Sequence, residues 1–105
     1  MKIKEFKKIY KKCFPVGEGW RKLVEKLVSD IEKIDPDISI AQVKEKFGGL
    51  RFYIVGGDEN VYRLINAAVQ NSLKICEQCG TKENVTTKGG WILTLCEKCR
   101  RTRNG

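Results

Sequence analysis

The chain has 105 residues, with 21 Lys and Arg against 13 Asp and Glu and a formal net charge of +8. That length holds one domain, or one small domain with a metal-bound appendage, and the last third is too short to sustain a core unaided. No apolar run approaches the ~18 residues of a membrane span and no apolar signal core follows the charged start, so neither a transmembrane helix nor a secretory signal is expected, and the expected compartment is the cytoplasm.

The positive charge is concentrated at the two ends. Residues 1–14 carry Lys2, Lys4, Lys7, Lys8, Lys11 and Lys12 against Glu5, and residues 98–105 carry Lys98, Arg100, Arg101 and Arg103 with no acid. Such ends serve as arms for nucleic acid or another anionic partner, or simply as solvated faces.

In chain order, Ile3, Phe6, Tyr10, Cys13 and Phe14 recur near helical spacing and predict a short amphipathic helix over 2–14, closed by Pro15 and Gly17. Cys13 falls on its apolar side and is expected in the core. Residues 18–35 repeat Trp20, Leu23, Val24, Leu27, Val28, Ile31 and Ile34 at i, i+3, i+4, i+7 and predict the clearest helix, stopped by Asp35-Pro36. Residues 38–55 read as a β-hairpin turning at Gly48-Gly49. That turn would oppose Phe47 to Leu50 and Lys46 to Arg51. It would put Val43, Phe47, Leu50, Phe52 and Ile54 on one face, with Glu45 out of place among them. Lys44, Lys46, Arg51 and Tyr53 would share the other face. Asp58 is a good N-cap for a helix over about 59–75, with Val61, Leu64, Ile65, Ala68 and Ile75 inward.

Cys76-Glu77-Gln78-Cys79-Gly80 is followed after sixteen residues by Cys96-Glu97-Lys98-Cys99. Two CxxC turns at this spacing bring four thiolates to one metal, with 85–87 and 91–95 as strands of the intervening hairpin. Zinc is the expected ion; an iron–sulfur cluster uses the same donors. Four cysteines close the shell, so the zinc would be structural. Four thiolates around a dication lower the working charge to about +6.

There are no histidines, which removes the usual general base and the commonest ligand of an open metal site. Glu45 on the apolar hairpin face is the one carboxylate to consider for acid–base chemistry, its plainer role being an ion pair or a strand edge reaching solvent. Gly56-Gly57 lacks the full glycine pattern of a phosphate loop, and Asp58 and Glu59 would repel phosphate there. A non-enzymatic binding role is expected. Lys44, Lys46, Arg51 and Tyr53 suit a phosphate backbone and a stacked base, joined by Arg100, Arg101 and Arg103. The other class is an inhibitor or adaptor that binds protein, with Trp91 as a partner anchor.

The expected architecture is α+β. Helices pack on one face of a β-hairpin over residues 1–75, and a zinc ribbon with a basic tail follows over 76–105. The run from Val43 to Tyr53 (VKEKFGGLRFY), Gly19-Trp20 ahead of it, the Cys76–Gly80 turn and the Gly90-to-Cys99 segment together resemble small uncharacterised proteins of bacteriophages and prophages. The resemblance spans residues 19–99 and implies a phage origin, a bacterial cytoplasm and a zinc ribbon. Because small phage proteins often bind host enzymes or defence complexes, it also raises an anti-defence role, anti-CRISPR included.

Overall fold

A computed structural model of the chain describes residues 1–88 and 92–104, the last two by backbone alone. Trp91 and the side chain of Arg103 therefore lie outside the described residues. The order is α1 (Ile3–Tyr10), a 3₁₀ turn (Glu18–Trp20), α2 (Arg21–Ile34), β1 (Ser39–Lys46), β2 (Gly49–Val55), α3 (Glu59–Ser72), β3 (Val85–Lys88), β4 (Leu93–Cys96) and α4 (Glu97–Asn104). The fold is α+β, with two antiparallel two-stranded sheets, β1–β2 and β3–β4.

The periodic apolar positions build the larger core. Ile3, Phe6 and Tyr10 of α1 meet Val24, Leu27, Val28 and Ile31 of α2. Ile40, Leu50 and Phe52 of the hairpin join them, with Val61, Ile65 and Ala68 of α3. Each Val, Leu, Ile or Phe side chain among them, fully buried, contributes about 1.5–3 kcal/mol. Phe6 sets its ring edge-on to Phe52 at 6.4 Å. Before α1 the chain runs beside β1: Ile3 N donates to Ile38 O at 3.0 Å and Ile40 N to Met1 O at 2.7 Å. The Lys7–Glu32 bridge at 2.8 Å ties α1 to α2. Its hydrogen bond raises the Lys7 pKa against the opposing effect of burial.

Two helical expectations need correcting. α1 stops at Tyr10, and Cys13 is exposed rather than buried in the core. Arg21 accounts for the early stop. Its guanidinium donates to Tyr10 O at 3.2 Å and lies over the Phe14 ring at 4.5 Å, so Phe14 packs back on the α2 start without a continuous helix. The start of the second helix is a 3₁₀ turn, and Ile34 at its far end is exposed.

The hairpin turns one residue earlier than the glycine pair suggests. Lys46 pairs with Gly49, Glu45 with Leu50, Lys44 with Arg51 and Val43 with Phe52. Phe47 and Gly48 form the turn with φ of 54° and 79°, the doubly positive pattern of the favoured two-residue hairpin turn. Glu45 explains the register: its carboxylate accepts from Gly48 N at 2.7 Å. The out-of-place acid is thus a turn brace. Each pairing moves by two positions, so the faces survive, but Phe47 leaves the core face and is 64 % exposed. A bulge between Ile40 and Gln42 then brings Ile40 opposite Ile54.

In α3, Asp58 caps as its residue type implies, accepting from Val61 N at 3.0 Å. Ser72 in its last turn is fully buried; its hydroxyl donates to Val69 O at 2.6 Å and accepts from Leu50 N at 3.0 Å. This fixes the helix to β2 just before the first cysteine.

Candidate metal centre and cationic hairpin face

Sulfurs of Cys76, Cys79, Cys96 and Cys99 all lie within 4.8 Å of one another. The first two come from the turn after α3, the last two from the end of β4 and the start of α4. Each pair forms the same knuckle: Cys79 N donates to Cys76 Sγ at 3.5 Å and Cys99 N to Cys96 Sγ at 3.4 Å. Gly80, at φ 84°, lets the first turn close. The knuckles are joined through backbone, with Glu77 N donating to Thr94 O at 3.0 Å and Glu97 N to Asn84 O at 3.0 Å.

The electrostatics favour a cation. Burial works against ionisation of Cys76. Amides of Cys79, Cys96 and Gln78 outweigh it and bring the thiol down to about 6. Burial and the neighbouring sulfurs push Cys99 up to about 12. One thiolate forms readily in this cluster and the last resists, because the charges are crowded without a counter-ion. A dication among four sulfurs removes that conflict, and the donor set fits one metal ion with a closed shell. Cys79 is the exposed ligand; the other three are buried.

The first knuckle is seated on the larger core by contacts that residue spacing did not reveal. Gly19 N donates to Glu77 O at 2.9 Å, and the fully buried Trp20 donates through Nε1 to Ile75 O at 2.9 Å. A Cβ on Gly19 would lie 2.0 Å from Cys76 O, and one on Gly17 would lie 2.1 Å from Glu77 O. The signal was the Gly-x-Gly-Trp run itself, whose meaning depends on a segment more than fifty residues away. A second seat lies at the hairpin tip. The buried hydroxyl of Thr94 donates to Gly48 O at 2.5 Å and contacts the Thr87 hydroxyl at 2.7 Å.

The other expected site residues divide into two groups. Lys44 and Arg51 are cross-strand partners and share their face of the hairpin with Lys46 and with Tyr53, which is 46 % exposed. The structure brings these four together. At the C-terminus, Arg100 is used within the ribbon, donating to Thr86 O at 2.7 Å, Lys88 O at 3.1 Å and Leu93 O at 3.1 Å. Arg101 pairs with Glu97 along α4 at 2.5 Å. The tail is therefore a helix whose first arginine holds the β3–β4 hairpin. No helix among the described residues is long and apolar enough to cross a membrane. Comparison with protein families, with curated proteins and with solved structures finds no match to this chain.

Proposed function

We propose that this chain is a non-enzymatic zinc-ribbon protein that binds nucleic acid through the cationic face of the β1–β2 hairpin. Zinc is the ion that four thiolates in a closed, tetrahedral shell favour, and such a shell leaves no position for substrate. The observation that carries the binding role is the Lys44–Arg51 cross-strand pair. Like charges directly opposed cost stability. Among the described residues neither makes an ion pair with a carboxylate, in contrast to Lys7, Arg21, Lys26, Arg63 and Arg101. A phosphate backbone relieves this repulsion, and the half-exposed Tyr53 ring beside it offers a stacking surface for a base.

The test is binding of the zinc-loaded chain to short single- and double-stranded DNA and RNA over a salt series. Binding should persist near physiological salt. The Lys44→Ala/Arg51→Ala variant should weaken it about tenfold or more and reduce the salt slope by about two. Equal binding by this variant, or binding lost at modest salt, contradicts the reading.

A second reading rests on Phe47, 64 % exposed at the hairpin tip. There the chain is a phage-encoded inhibitor or adaptor of a host protein or defence complex in a bacterial cytoplasm, as the resemblance implies. It predicts partner binding that is lost in Phe47→Ala and responds weakly to salt.

A further inference from the structure

On another part of the surface, α2, the end of α3 and the first cysteine knuckle enclose a cleft of about 580 Å³. Its apolar lining includes Leu23 and Ile75, and Asn71 adds an amide. Lys22, Lys26, Lys74 and Lys82 stand around it. Two charges there are already matched: Lys26 pairs with Asp30 at 2.9 Å, and the one lining acid, Glu18, is held by Arg21 at 2.7 Å. Lys22, Lys74 and Lys82 have no carboxylate partner among the described residues. The volume is that of a small-ligand site, with a few polar groups around an apolar bed. Concave walls concentrate the field of the three lysines, and lysine binds phosphate as a point charge.

We propose that this cleft binds a phosphate-bearing nucleotide unit, free or within a single strand, with phosphate on the lysines and the base over Leu23 and Ile75. The site is separate from the hairpin face and does not rest on that reading. The competing role for the lysines is to balance the thiolate charge of the metal centre, because Cys79 also lines the cleft.

The experiment is calorimetric titration of the zinc-loaded chain with ATP, AMP and inorganic pyrophosphate, repeated with an excess of a short oligothymidylate. Zinc affinity is measured in parallel by chelator competition. ATP should bind, and Lys22→Gln/Lys82→Gln should weaken it about tenfold or more while zinc affinity holds. Lys22→Arg/Lys82→Arg should restore binding. Displacement of ATP by the oligonucleotide assigns the site to a strand, and its failure to displace assigns it to a free nucleotide. The proposal is overturned if no phosphate ligand binds, or if the glutamine variant loses zinc instead. It is also overturned if ATP affinity falls in Lys44→Ala/Arg51→Ala and not in the cleft variant, since the hairpin would then be the site.

Discussion

Gly19 and Thr94 carry more of this structure than their size suggests, and each can be tested by a single substitution. The backbone of Gly19 lies so close to the first knuckle that an added methyl group would fall 2.0 Å from Cys76 O. The contact is backbone on backbone, so no flexible side chain can move aside. Gly19→Ala should cost about 3 kcal/mol or more in urea unfolding and weaken metal binding with it. Thr94→Val keeps the volume but removes the donor to Gly48 O. It leaves a buried carbonyl unsatisfied and should cost about 1–3 kcal/mol in thermal unfolding. Residue type pointed to the four cysteines at once, because two CxxC turns sixteen residues apart can be read from spacing alone as one metal-ligand set. It could not point to Gly19 or Thr94, whose importance comes from partners 57 and 46 residues away.

At the scale of elements, apolar periodicity placed α2 and most of α3, since both helices bury one stripe against a common core, but α3 ends at Ser72 and Ile75 is buried beyond the helix and not on its stripe. It overran α1, because Cys13 and Phe14 fit the spacing while Arg21 ends the helix from outside. The hairpin shows the same limit. Gly48-Gly49 is the most permissive dipeptide for a turn, yet the turn is Phe47-Gly48. Two interactions select it: the Glu45 brace on Gly48 N and the burial of Gly48 against Thr87 and Thr94. Glu45→Ala should therefore cost about 1 kcal/mol and broaden the amide resonances of residues 46–49 as registers compete. The cationic face remained readable because a shift of two preserves the alternation of side chains. The basic tail was not readable as a helix, since nothing in Arg100-Arg101 reveals that the first arginine caps three carbonyls of the ribbon while the second pairs with Glu97.

For the whole molecule, two apolar clusters are joined by a small set of bonds. One holds the helices and the first hairpin; the other, with Leu93, Leu95 and three of the cysteines, is too small to stand alone. Gly19 to Glu77 and Thr94 to Gly48 link the cysteine knuckle and its ribbon to the larger cluster, and Trp20 to Ile75 holds the residue just ahead of Cys76 within that cluster. Metal binding at the cysteine cluster would thereby supply folding energy for both. The thiols set its pH dependence. In the metal-free fold Cys76, depressed to about 6, contributes stability present above the ordinary thiol range and lost as pH falls through about 6. Cys99, raised to about 12, contributes stability while protonated, and this is lost as pH rises toward that value. A zinc ion bound there would have to displace the protons of Cys79 and Cys99, both raised. Apparent zinc affinity should therefore rise with pH through the neutral range and fall steeply in acid, which chelator competition at several pH values would show.

The most direct test of this account measures the metal content of the purified chain together with its amide spectrum before and after chelation. One zinc per chain is expected, with no visible absorption of the kind an iron–sulfur cluster gives. Chelation should collapse the signals of residues 76–99 and perturb Trp20 and Gly48 as well. A chain that contains no metal and keeps those signals, or one that closes its cysteines as disulfides, would contradict it.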